Sequence, residues 1–131
     1  MVEGVANQFL SALSNGDVQA LDALISRDEC LFVGTDNREW WSSRSEIMRA
    51  LQAQTKEMEG FEFVASTTVA SEHGEVGWFA TQFAIRAPDG TETPSRLTGT
   101  VVREQGTWRI VQGHTSVGAA NEEVIGKELT I

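Results

Sequence analysis

The chain has 131 residues, enough for one domain with its own core and too few for two. Hydrophobic residues make up 40% and charged residues 22%, an ordinary globular balance, and no apolar run approaches the roughly 18 residues of a membrane-spanning helix. Ten Lys and Arg against nineteen Asp and Glu leave a net charge of −9, which argues against a general nucleic-acid surface and against docking on anionic lipid, because both need clustered cations.

The first residues, MVEGVANQFL, have neither a basic start nor an uninterrupted apolar stretch, so no export signal is read and the cytoplasm is the expected compartment. Val2, Val5, Ala6, Phe9, Leu10 and Leu13 fall on one helical stripe, which stops at Ser14-Asn15-Gly16 with Gly16 as the expected C-cap. Asp17 is placed to cap a second, short helix that buries Leu21, Leu24 and Ile25. Cys30 to Gly34 reads as a short β-rich run. Cys30 is the only cysteine, so no internal disulfide and no cysteine-built zinc cage can form, and its apolar setting predicts a small buried side chain. A third helix follows Trp40-Trp41: Ser43 and Glu46 have capping-box spacing, and Ile47, Leu51 and Met58 continue an apolar stripe.

After Gly60 the period changes. Phe61–Ala70, Glu75–Arg86, Thr91–Glu104 and Thr107–Val117 are β-rich and are separated by Glu-His-Gly, Pro-Asp-Gly and Gln-Gly turns. Three helices followed by an antiparallel meander predict an α+β domain, with the helices covering one face of a curved sheet. Pro94 marks a strand edge or a bulge. The segment 119–131 reads as either a short helix or an extended arm, and no repeat or linker divides residues 1–131 into more than a single domain.

The last strand raises the functional question. Alternation puts Trp108, Ile110, Gln112, His114 and Ser116 on one face, which starts apolar and turns polar. With sequential hairpins, Trp78, Arg96, Thr98, His114 and Ser116 gather into one patch, partly aromatic and partly hydrogen-bonding. Such a patch is expected to line a hollow between helices and sheet. The opposite face of the second long strand carries Phe79, Phe83 and Ile85, an apolar set that marks an interaction surface if it is exposed.

The stretches FVGTDNREWWSSRSEI (Phe32 to Ile47), GWFA (Gly77 to Ala80), SRLTGTVVRE (Ser95 to Glu104) and WRIVQGHTSVG (Trp108 to Gly118), with the SNGD turn at Ser14 to Asp17, give the chain a resemblance to the nuclear transport factor 2-like superfamily, in its SnoaL-like branch. The resemblance spans most of the chain. It implies a cone-shaped curved antiparallel sheet covered on its concave side by three N-terminal helices, a pocket at the open end, and a homodimer packed through the sheet. The homodimer would cover Phe79, Phe83 and Ile85. No single reaction is implied, since members include polyketide cyclases, a dehydratase, a ketosteroid isomerase, transport adaptors and binding domains. Enzymes of the superfamily tend to pair a carboxylate with His or Tyr, and this chain has no Tyr, which removes a steroid-isomerase-type tyrosine donor.

Each candidate residue has two readings. His114 can serve as general acid, general base or hydrogen-bond donor, or be a satisfied structural histidine. Arg96 can grip a carboxylate or enolate oxygen, or pair with an internal acid such as Asp36. Asp36 can act as a base if desolvated, or form a local turn with its own backbone. Trp40 and Trp41 face opposite ways if extended, so one of them can close the cavity. Trp108 is expected to plug the closed end, and His73 to sit solvated in a turn. Two histidines far apart in the chain and a single cysteine predict no metal site, and no glycine-rich phosphate loop or flavin signature predicts a cofactor. The favoured reading is a small-molecule-binding domain for an apolar ligand bearing a carboxylate or carbonyl, held by Arg96, Thr98, His114 and Ser116. The alternative is a cofactor-independent cyclase, isomerase or dehydratase that uses His114 and Asp36 for proton transfer. An adaptor with a filled core ranks third.

Overall fold

The structure, a computed structural model, describes residues 1–130. Helix α1 spans Val2–Asn15 and ends on Gly16 at φ 63°, the left-handed cap that its Ser-Asn-Gly terminus predicts. Asp17 accepts a hydrogen bond from the Ala20 amide at 3.1 Å and starts α2, Val18–Leu24. Ser43 accepts from the Glu46 amide at 3.2 Å and starts α3, Arg44–Glu57. These ends form where expected because capping is decided within three or four residues.

Two short strands, β1 (Leu31–Val33) and β2 (Trp40–Trp41), precede α3, and four long ones follow: β3 (Glu62–His73), β4 (Val76–Arg86), β5 (Glu92–Glu104) and β6 (Thr107–Val117). They form one sheet in the order β2-β1-β6-β5-β4-β3. The meander is antiparallel throughout, but β1 runs parallel to β6, so the sheet is mixed. No hairpin joins β1 to β6; the helices deliver β1 to that edge and so set its direction. Pro94 marks a strand edge and not a bulge. Pairing with β4 continues unbroken through Ala84↔Pro94, while pairing with β6 stops one residue later in β5, at Ser95↔Val117. Beyond β3–β6, among the described residues, only the short helix α4 (Asn121–Ile125) forms, fully exposed.

The core lies between the helices and one face of the sheet. Phe79, Phe83, Leu97, Val101 and Ile110 pack there with Val2, Phe9 and Leu10 of α1, Leu21 of α2 and Ile47 of α3. Gly99 and Gly113 face each other across β5 and β6 in this layer and leave room for the rings of Phe79 and Phe32. Two buried polar side chains on the inner face are satisfied: Thr81 donates to the Thr67 carbonyl at 2.9 Å, and Ser95 donates to the Thr93 carbonyl at 3.2 Å. Beside the β5–β6 turn Ser26 donates to Glu104 at 2.5 Å, and Arg103 stacks 4.5 Å from the ring centre of the part-buried Trp108.

This arrangement corrects two expectations about the faces. Phe79 and Phe83 are 1% and 5% exposed and belong to the core, with Ile85 packed against it, so they form no surface patch. Trp78, Arg96, Thr98, His114 and Ser116 do share one face, through the pairs Thr98↔His114 and Arg96↔Ser116, but it is the outer face of the sheet. Trp78, Arg96 and Thr98 lie outside because the alternate residues Phe79, Phe83 and Leu97 fill the core, and His114 and Ser116 join them through a bulge in β6. Thr100 pairs with Gln112 and Val101 with Ile110, so Val111 is an extra residue that reverses the alternation. Ile110 points inward, yet Gln112, His114 and Ser116 follow on the outside, and Gly113 and Thr115 take the inner positions.

Candidate functional site

A hollow of ≈ 300 Å³ remains between the helices and the inner face of the sheet. Its helical wall comes from Phe9, Leu10 and Leu13 of α1, from Leu51 of α3 and from Met58 at the C-cap of α3. Opposite stand Phe63, Phe83, Ile85 and Leu97 from the sheet, with Phe32 and Trp41 closing the side toward β1 and β2.

Polar groups enter on the side shared by α3 and the β1–β2 loop. Glu39 stands just before β2, two residues ahead of Trp41, and both border the hollow. Its Oε2 accepts from the Gln54 side-chain amide at 2.7 Å, and its Oε1 accepts from the Asp36 backbone amide at 2.9 Å and from the Thr35 hydroxyl at 3.5 Å. The carboxylate lies over Gly34, where a Cβ would stand 2.3 Å from Oε1; only glycine admits this approach. Thr55 and Thr115 also border the hollow.

Glu39, Gln54 and Thr115 are the residues that sequence reasoning missed. A signal existed for Gln54, which occupies the apolar stripe Ile47-Leu51-Gln54-Met58 at helical spacing. A polar residue on such a stripe needs a partner, and here that partner is Glu39. Thr115 was hidden by the bulge at Val111.

A model of the SnoaL-like domain matches residues 2–120. The chain belongs to that family. No curated protein matches it. Among solved structures, a candidate dehydratase of the nuclear transport factor 2-like family from Streptomyces avermitilis superposes with TM-score 0.81 at 18% identity, covering 91% of this chain and 94% of that one. A nuclear transport factor 2-like protein of unknown function from Pseudomonas putida gives TM-score 0.82 at 14% identity, with 98% and 90% covered. A candidate ketosteroid isomerase from Shewanella frigidimarina gives 0.73 at 15% identity, with 86% and 92% covered. At these identities the likeness is one of fold.

Within this SnoaL-like domain, Trp41 is the one residue of the expected site that borders the hollow. Its neighbour Trp40 turns outward and is 63% exposed, as alternation along β2 requires. Trp78, Arg96, Thr98 and His114 are exposed, and Ser116 half-buried, on the outer face. Asp36 stands in the exposed β1–β2 loop, where it accepts from the Arg38 amide at 2.9 Å and from the Arg38 side chain at 3.0 Å. Those side-chain hydrogen bonds hold its carboxyl below the usual carboxylate range. This is the local turn, and it lacks the desolvation that a general base needs. Cys30 is buried as expected, and burial pushes its thiol upward. Among the described residues, no cluster of His, Cys, Asp and Glu could hold a metal, and no helix is long and apolar enough to cross a membrane.

Proposed function

We propose that this SnoaL-like domain binds a small, largely apolar molecule in the hollow, oriented by the polar edge of Glu39, Gln54 and Thr115. The carrying observation is an apolar enclosure of ≈ 300 Å³ with a few convergent hydrogen-bonding groups on one side. That combination is typical of small-molecule sites, at the low end of their range of about 300–1,000 Å³. A ligand carboxylate loses the support that Arg96 was expected to provide, since Arg96 lies outside. Proton transfer by His114 and Asp36 likewise loses its basis, because neither residue borders the hollow.

The test is to plug the space. Replacing Thr115 by Trp is expected to weaken binding of any captured metabolite or small aromatic probe at least about 100-fold, since a filled pocket removes the apolar contact area. Circular dichroism should stay native. Arg96→Ala and His114→Ala should bind as the wild type does. Unchanged binding by Thr115→Trp, followed by native mass spectrometry, would sink the assignment.

The outer face supports a second part of the reading, a homodimer through the sheet. Val69, Val76 and Trp78 stand 55%, 47% and 43% exposed there, an apolar strip that water covers poorly. Sedimentation should show a dimer for the wild type and a monomer for Trp78→Asp. A wild type that sediments as a monomer at micromolar concentration ends this part.

A further inference from the structure

We propose that the occupant of the hollow carries an ammonium group, with Glu39 as its counter-ion; this rests on the ligand-binding reading above. Glu39 is a half-buried carboxylate whose three partners, Gln54, the Asp36 amide and the Thr35 hydroxyl, are all neutral. Its sequence neighbour Arg38 is turned to Asp36 and has an 87% exposed side chain. Among the described residues bordering the hollow there is no Arg, Lys or His, whereas a second acid, Glu57, does border it.

Acceptors at this edge therefore exceed donors. A carboxylate offers about four lone-pair positions, of which three are used here. Gln54 has its amide nitrogen engaged with Glu39, so its carbonyl remains to accept a second bond from the same ligand group. An ammonium has three N–H donors and a positive charge, which meets both needs at once. The aromatic walls do not oppose this, because the faces of Trp41 and the phenylalanines attract a cation. A ligand carboxylate would instead be desolvated beside Glu39 and Glu57 without a compensating charge. The chain's net charge of −9 works in the same direction by concentrating cations near the surface.

Three probes with one hydrocarbon body test the chemistry: phenylpropylamine, phenylpropanol and phenylpropanoate, titrated at neutral pH by calorimetry against the full chain. The amine is expected to bind about tenfold tighter than the alcohol, and the acid weakest of the three. Glu39→Gln should bring the amine-to-alcohol affinity ratio close to one, a selective loss that mere loosening of the loop would not produce. Where Glu39→Gln disturbs the loop, Gln54→Met, which removes the second acceptor from α3 alone, should still shrink the amine-to-alcohol ratio. An acid that binds as well as the amine overturns the inference, as does a ratio unchanged in both variants. Failure of all three probes on the wild type also overturns it. The broader ligand-binding reading then still stands or falls on metabolite capture and the Thr115→Trp comparison.

Discussion

Replacing Gly99 by valine is expected to lower stability by about 3 kcal/mol and the melting temperature by on the order of 10 °C. Gly99 lies mid-strand in β5, paired with Phe79 on one side and Gly113 on the other. A Cβ there would stand 2.6 Å from Phe79 Cζ and 2.9 Å from the Gln112 carbonyl oxygen. Neither neighbour can yield easily. Phe79 is 1% exposed and locked in the core, and the Gln112 oxygen belongs to the backbone of the adjoining strand. Valine adds two methyl groups to an already impossible contact. Thermal unfolding followed by circular dichroism measures the effect. Shortening the ring with Phe79→Leu should recover part of what a Gly99→Ala substitution loses, because the two positions touch and their effects are not additive. A Gly99→Val protein as stable as the wild type would mean that the inner face has been assigned to the wrong side of the sheet.

The second large effect is expected at Arg44. Its guanidinium donates from Nη1 to the Ile25 carbonyl at 2.9 Å and the Ser26 carbonyl at 3.1 Å, and from Nη2 to the Asp22 carbonyl at 3.1 Å. It also pairs with the Asp22 carboxylate. A helix leaves its last carbonyls without partners, and one planar fork from the start of α3 satisfies the end of α2 and the turn beyond it. Arg44→Leu keeps bulk but removes every donor, and is expected to cost about 2–3 kcal/mol, mostly from uncapped carbonyls, since Asp22 is 45% exposed and its ion pair is screened. Arg44→Lys should recover less than half, because a point charge cannot span three acceptors. Urea midpoints read both variants. A lysine variant equal to the wild type would show that charge alone, without the fork, holds this corner.

Much of the fold could be read from the residues because the deciding interactions are local. Ser14-Asn15-Gly16 ends α1, Asp17 starts α2 and Ser43 with Glu46 starts α3, each through contacts within four residues. The turns between the long strands, and hence the meander, follow from glycine-bearing sequences for the same reason. Trp40 and Trp41 facing opposite ways follows from the two-residue period.

The site was less legible. Alternation shows which residues share a face, and Arg96, Thr98, His114 and Ser116 do share one. It does not show which face is buried. Both faces carry mixed chemistry: the inner one includes Thr81, Ser95 and Gly99, and the outer one includes Val69, Val76 and Trp78. Ile110 is a true core residue, but reading from it along β6 inverts every later position because of the extra residue at Val111.

The amino-acid order by itself determined the helix ends, the long strands and their turns, the family and, where a strand has no bulge, the partition of its side chains into two faces. All of these rest on short-range geometry or on a pattern spread along the chain. Tertiary structure alone decided which face turns inward, that β1 lies parallel to β6, and that Glu39 meets Gln54 beside the hollow. Those outcomes depend on a single-residue bulge and on contacts between distant segments, whose energies are settled only when helices and sheet pack together.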